Sequence, residues 1–519
     1  MGGQPLFILS EDTERTQGDD AQSSNITAGK AVSESVRTTL GPRGMDKMLV
    51  SDDGDVVITN DGATILGEMD IEHPAAQMLV EVAETQEEEV GDGTTTAAVL
   101  AGELLSEAES LLEDDVHPTT IVEGYHEAAS LAQEAIDEAV ITTDLDDEQL
   151  IQVAESSMTG KGTGDVAAAD LARSVVDAIQ QVRDEDDVNR DNVSIHTQTG
   201  SSSSATELVQ GVIVDEDRAS EDMARSVTDA AIAVVEADLE VKESNIDAEY
   251  EVTNVDQLNA AIDAENEQLK GYADDIAATG AEVVFVNGDV DDRVATYLAK
   301  HGVLTFEDVD DETVSSVVAA TGTSRAGSVD TLEGEDLGEA DEVRVEKFGD
   351  DELVIIEGGA AAKAVTIFAR GGTEHAVDEL ERALRDSLDV LTAALDAGGV
   401  VPGAGATEIV VAGHIRERAA GVEGRKQLAV EAFADALDVL PRTLAENTGM
   451  DPIDALVDLR AERDAGNTAG VISEGQTGII ADPIEHGVLD PAAVKFEAVE
   501  SANEAATMIV RIDDVIASN

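Results

Sequence analysis

Apolar residues recur at helical spacing through the first and last thirds of this chain, whereas the middle third alternates short apolar runs with polar turns. Over 25–40, Ile26, Ala28, Ala31, Val32, Val36 and Leu40 predict a helix that Gly41-Pro42-Arg43-Gly44 stops. Val56-Val57-Ile58-Thr59 predicts a strand. Asn60-Asp61-Gly62 then reads either as a plain hairpin turn or as a carboxylate able to reach a metal or a water. Residues 73–140 are mostly helical: Pro74 opens one segment, glycines around 91–93 interrupt it, and Val99, Leu104, Leu105, Leu111 and Leu112 make an apolar stripe. Pro118 starts a further helix. An acidic break at 144–147 precedes a helical piece ending at Met158.

From about Asn192 the pattern changes. Val193-Ser194-Ile195-His196, Gly211-Val212-Ile213-Val214 and the runs 231–235 and 281–286 predict strands, the last two buried, with a Gly/Ser run at 200–204. Between the last two lies 245–278, a charged helical stretch carrying Leu258, Ile262, Leu269 and Tyr272. It reads as a solvated surface helix or as a projecting arm. Residues 291–301 predict a helix, and Val303-Leu304 a strand. This third has an α/β or α+β character and suggests a separate domain inserted into the other two thirds.

Helical spacing returns at 374–395, with Arg382, Arg385, Asp386 and Asp389 on the polar side, and fills 406–464 between breaks at Pro441 and Gly449-Met450-Asp451-Pro452. The end of the chain predicts a loop through Gly487-Val488-Leu489-Asp490-Pro491, a helix to Met508 and a strand over 508–513. Residues 1–23 are polar and predict no fixed element. Their only apolar run, 6–9, has no basic residue before it, so it is not a signal peptide. No apolar stretch reaches the roughly 18 residues a membrane span needs, and the reading is a soluble cytoplasmic protein.

With 519 residues the chain exceeds one core, and about two to four domains are expected. The absence of Cys excludes disulfides, thiolate metal sites and thiol catalysis. A formal net charge of -82 with 2% aromatic residues suggests disorder in dilute buffer, yet 42% of residues are hydrophobic and keep helical spacing. The chain therefore reads as folded in molar salt, where the Debye length falls to about 3 Å and self-repulsion is screened. A cation-buffering or basic-partner surface is the alternative, weakened by the spread of acid along the whole chain. No basic patch with interleaved aromatics exists, which argues against nucleic acid as a partner.

The chemistry concentrates in glycine loops. Gly91-Asp92-Gly93-Thr94-Thr95-Thr96 leads into an Ala/Val/Leu helix. A helix N-terminus offers unpaired N–H groups to phosphate, and Asp92 would repel that phosphate unless a cation such as magnesium lay between them. An acidic turn capped by Thr94 is the alternative. Thr159-Gly160-Lys161-Gly162-Thr163-Gly164 places a lysine between glycines, as a phosphate sensor or merely a solvated side chain. Gly403-Ala404-Gly405-Ala406-Thr407-Glu408 is another glycine loop before a helix, but not a dinucleotide fingerprint. No Gly-x-x-x-x-Gly-Lys-Ser/Thr, zinc-helix histidine pair or Gly-x-Ser-x-Gly elbow occurs, so the histidines read as structural or surface groups.

Together with Thr39-Leu40-Gly41-Pro42-Arg43-Gly44-Met45-Asp46-Lys47-Met48-Leu49 and Asn60-Asp61-Gly62-Ala63-Thr64-Ile65-Leu66, these loops, in this order, resemble the group II chaperonin family: the thermosomes of archaea and their eukaryotic cytosolic relatives. The resemblance covers nearly the whole chain. It implies a multidomain α/β chaperonin fold with a mostly helical equatorial domain (1–143 and 399–519), a small intermediate domain (144–210 and 363–398) and an α/β apical domain (211–362). The helical protrusion at about 245–278 would serve as a lid. Thr39, Leu40, Gly41 and Pro42 would wrap the phosphates of ATP, Asp92 would hold Mg2+, and Gly93, Thr94, Thr95 and Thr96 would bind the β and γ phosphates. Lys161 would sense the γ phosphate, Gly405 would approach the nucleotide closely and Asp490 would hydrogen-bond the ribose. Asp386 would position or activate the attacking water, with Asp61 beside it.

The implied protein is a Mg-dependent ATPase subunit of a double ring, homomeric or mixed with paralogues, that encloses and folds non-native proteins; the charge points to a halophilic archaeon. Family members that end in a Gly/Met-rich tail differ from this chain, which reads Ile512-Asp513-Asp514-Val515-Ile516-Ala517-Ser518-Asn519 at its end. Two other expectations fit the same loops. A small-molecule phosphotransferase would leave the arm at 245–278 without a purpose, and a ring subunit that does not turn over ATP would not need Asp61, Asp92, Lys161 and Asp386 together.

Overall fold

The computed structural model describes residues 13–51, 54, 56–142, 144–164, 166–184, 187–241, 255–348, 351–359, 364–396 and 398–518. The chain forms two compact units, Met1–Val176 with Asp378–Asn519, and Asp177–Val377. The expected boundaries at 143 and 362 fall outside the described residues, as do the apolar run 6–9 and the first part of the stretch 245–278.

The first unit is helical because its apolar stripes face one another. Asp19–Val36, Pro74–Val90, Thr94–Glu113, Pro118–Ala139, Ala406–Ala419, Lys426–Leu437 and Ala492–Val510 enclose a core that includes Ile26, Leu79, Leu100, Leu104, Leu105 and Phe433. Tyr125 is fully buried in it, and its hydroxyl donates to the Leu104 carbonyl oxygen at 2.7 Å, meeting the demand of a buried polar group. Its ring stands edge-on to Phe433, centroids 5.6 Å apart.

Residues 1–23 are not without structure where described: Thr13–Gln17 pairs antiparallel with Asp514–Ser518, and the first helix begins at Asp19 rather than 25. The last strand is Asp514–Ser518, not 508–513. The helix runs on to Val510 because Ala502, Ala506, Ile509 and Val510 continue its buried stripe. Asn60-Asp61-Gly62 is not a hairpin turn. The hairpin joins Lys47–Val50 to Val56–Thr59, and Asp61 instead caps the helix Gly62–Gly67, accepting from the Thr64 backbone N–H at 2.6 Å.

The second unit is built on a sheet. Leu304–Phe306, Val283–Val286 and Ser226–Val235 lie side by side in parallel, and Gly338–Phe348, Asp351–Glu357 and Gly211–Val214 extend the sheet antiparallel. Val283–Val286 is buried at every position, as a strand covered on both faces requires, and so is the stretch 232–235 of Ser226–Val235 that pairs with it. Helices Val255–Thr279, Asp292–His301 and Asp311–Thr321 alternate with these strands. Phe285 stacks on Phe306 at 4.9 Å. A smaller sheet places Val365–Gly371 between Val193–Thr199 and Glu207–Val209. Among the described residues of either unit, no helix is long and apolar enough to cross a membrane.

Candidate functional site

A cleft of about 430 Å³ opens in the first unit. That volume suits a small organic ligand. Two helices begin at its wall, each after a glycine. Gly91, at φ 67°, ends Pro74–Val90 in the left-handed conformation, and Gly93, at φ 83°, starts Thr94–Glu113. No side chain caps that second helix, so its first N–H groups point toward the cleft without a side-chain partner. Gly405, at φ 81°, starts Ala406–Ala419 in the same way. The glycine there is required by its backbone angle and by Pro441, whose Cβ would lie 3.0 Å from an added Cβ.

The lining brings together Thr39, Leu40, Gly41 and Pro42 from the end of the first helix, Asp61 from the short helix cap, and Asp92 to Thr96 from the glycine loop. Lys161, Gly405 and Asp490 complete it. Asp386 is the one expected site residue outside that lining. It is 5% exposed on the helix Glu374–Asp396 and reaches the site through an ion pair with the Lys161 ammonium.

Short polar contacts hold the loops to one another. Asp92 Oδ1 accepts from the Gly93 backbone N–H at 2.7 Å, and Thr94 Oγ1 donates to Asp61 Oδ1 at 3.2 Å. The Thr39 and Thr95 hydroxyls lie 3.4 Å apart. Asn60 Nδ2 donates to the Gly160 carbonyl at 2.6 Å, fixing the lysine loop to the Asp61 loop. Gln86, fully buried, donates through Nε2 to the Asp92 carbonyl at 2.7 Å and to the Val494 carbonyl at 3.2 Å.

The electrostatics follow from burial among carboxylates. Burial pushes the Asp386 carboxyl up to about 6 against the pull of Lys161, which makes it a stronger base than an exposed aspartate. Burial alone would lower Lys161, but the charges of Asp386, Asp92 and Asp61 outweigh it, and the ammonium stays protonated. Glu87 is pushed up to about 9 by burial and then by Asp386 and Asp61, so it is neutral at pH 7.

Among the described residues no three His, Cys, Asp or Glu side chains cluster as an all-protein metal cage. The donor set suits a hard cation shared with a phosphate ligand, because magnesium is commonly held by one or two carboxylates plus substrate oxygens.

Sequence reasoning missed Lys495. It lines the same cleft, and its Nζ lies 2.7 Å from both Glu408 Oε1 and Asp490 Oδ2. A usable signal was present: Lys495 is the only basic residue in the helix Ala492–Val510, flanked by buried Ala492, Val494, Ala498 and Val499. Gln86 was also missed; a glutamine on an apolar helix face carries no distinctive pattern.

The TCP-1/cpn60 chaperonin family model matches residues 32–519. Thermosome subunit 3 of Haloferax volcanii is 64% identical over 517 residues, covering 99% of both chains. Thermosome subunit alpha of Halobacterium salinarum is 54% identical over 519 residues, covering 100% of this chain and 92% of that one. Thermosome subunit beta of Methanothermobacter thermautotrophicus is 48% identical over 519 residues, covering 100% and 96%. With helical and mixed-sheet units of the expected kind and relatives of this similarity along its whole length, the chain belongs to the TCP-1/cpn60 chaperonin family, as a group II, thermosome-type subunit that works in protein folding and has relatives in halophilic archaea.

Proposed function

We propose that the cleft binds ATP with Mg2+ and hydrolyses it to drive a chaperonin cycle. The observation that carries this reading is the convergence, in one cleft, of two helix N-termini without side-chain caps, the carboxylates Asp61 and Asp92, and a partly buried lysine paired with a buried aspartate. The N–H groups at Thr94–Thr96 and the segment Thr39–Pro42 cradle the phosphates. Asp92 holds the Mg2+, which when bound offsets phosphate charge and polarises the terminal phosphoryl group.

Asp386 accepts a proton from the attacking water, and Asp61, held by Thr94 and the Thr64 N–H, orients that water. General-base assistance of this kind contributes about 10²- to 10⁴-fold. While Lys161 is paired with Asp386, the base is occupied. A terminal phosphate competes for the lysine and frees the carboxylate, so a triphosphate itself completes the site. Asp490 accepts a hydrogen bond from the ribose.

The three-domain division expected from the sequence, the closing arm at 245–278, non-native protein as client, the cytoplasm as location and assembly into a double ring, alone or with paralogous subunits, belong to the same proposal. Relatives named thermosome subunits alpha, beta, 1 and 3 support a mixed ring. The test is the mass of the purified particle with and without Mg-ATP in about 2 to 3 M KCl, where surface charge is screened, read alongside phosphate release. A many-subunit particle that releases phosphate without an acceptor is expected. A monomer or dimer active only with a small acceptor would replace this reading by a phosphotransferase.

A further inference from the structure

We propose that Lys495 is a positioning residue that holds the Asp490 carboxylate in place for a sugar hydroxyl, and so makes this chain discriminate ribonucleotides from deoxyribonucleotides. The inference rests on the reading of Asp490 as the ribose contact.

Asp490 sits on the short strand Leu489–Pro491, whose backbone is fixed antiparallel to Val400–Pro402, with Asp490 opposite Val401. Its side chain needs a separate anchor. Lys495 supplies it from the first turn of Ala492–Val510, with Nζ 2.7 Å from Asp490 Oδ2. The other oxygen, Oδ1, lies over Gly403, where an added Cβ would come within 2.9 Å. A side chain at 403 would therefore push the carboxylate away, whereas glycine leaves it room. One oxygen is thus held by the lysine, and the other is kept clear at the wall of the cleft.

Glu408 explains why the lysine does not move. Its Oε1 takes the same Nζ at 2.7 Å, and its Oε2 is buried without a hydrogen-bond partner, so Lys495 is the cation that compensates it. The lysine side chain is 12% exposed and the glutamate side chain 7%. Two carboxylates thus pin one ammonium between the start of Ala406–Ala419 and the start of Ala492–Val510. Remove the ammonium, and the two like charges repel; Asp490, the more exposed of the two, is the one free to turn away.

The experiment compares KM and kcat for ATP, 2′-deoxyATP and 3′-deoxyATP in the full-length assembled protein. A hydroxyl bonded to a charged acceptor is expected to raise KM about ten- to a hundredfold for the nucleotide lacking it. Lys495→Met is expected to bring that ratio close to one, as Asp490→Ala does. Because Lys495→Met leaves Glu408 uncompensated and is at risk of not folding, Glu408→Gln/Lys495→Met removes both buried charges and should show the same collapsed ratio. A general loss of stability scales all three nucleotides alike and does not move the ratio. If Asp490→Ala abolishes discrimination while both lysine variants retain it, Lys495 has no positioning role. If Asp490→Ala leaves the ratio unchanged, the ribose contact itself is wrong, and the proposal falls with it.

Discussion

Lys161 and Lys495 line one cleft, and both are partly buried ammonium groups kept protonated by carboxylates. Their supports differ. Lys161 sits on the glycine loop after Asp147–Met158, where Gly160 adopts φ 89°, and its side chain has Asp386 as its one ion-pair partner within the described residues. Lys495 stands on a long helix with two carboxylates on its nitrogen. A phosphate arriving at Lys161 has one partner to displace on a loop that can adjust, whereas at Lys495 it would have two on a rigid element. The loop lysine is therefore suited to respond to what is bound, and the helix lysine to hold its surroundings constant.

The sharpest way to break this contrast is to remove the partner that makes Lys161 responsive. Asp386→Ala should lower hydrolysis by about 10²- to 10⁴-fold while ATP binding stays within a few-fold of wild type, measured by phosphate release and by equilibrium binding. Wild-type turnover would take Asp386 out of the chemistry. Next in size, Lys161→Met should lower hydrolysis by about 10²-fold, the usual cost of one preorganised donor, and should erase the preference for ATP over ADP without touching preference at the sugar.

The pH profile separates the two lysines without mutation. Burial raises Asp386 to about 6, and a carboxylate base works only when deprotonated, so hydrolysis should rise with pH through about 6 and fall about tenfold per unit below it. Lys495 is held above the ordinary lysine range by Asp490 and Glu408 against burial, so it adds no limb near neutrality. The smallest effect belongs to a residue outside the cleft lining. Tyr125→Phe, losing the hydroxyl bonded to Leu104, should cost about 1 kcal/mol in thermal or denaturant unfolding and leave every nucleotide ratio unchanged.

Much of this site was legible because its chemistry is written locally. A glycine pair around Asp92 followed by threonines and an apolar helix specifies a loop, a helix start and a carboxylate in one short stretch, and the structure places them so. Asp61 was legible as a site carboxylate but not as a helix cap, since Asn-Asp-Gly suits a turn equally and the deciding partner, the Thr64 N–H, depends on the following helix forming. The Lys495 group was only partly legible: Asp490 and a lone lysine on an apolar helix stand close together in sequence, but Glu408 is far from both and meets them only when Ala406–Ala419 packs near Ala492–Val510. The strand Thr13–Gln17 was missed for the same reason: its pairing partner is at the other end of the chain.

The most direct test of the division of labour between the two lysines is a side-by-side measurement of Kd for ATP, ADP and 2′-deoxyATP on assembled Lys161→Met and Lys495→Met proteins. The prediction is a crossing: Lys161→Met loses the triphosphate preference and keeps the ribose preference, and Lys495→Met does the reverse. Equal changes in both ratios for both variants, or no change in either, would contradict the division of labour between the two lysines.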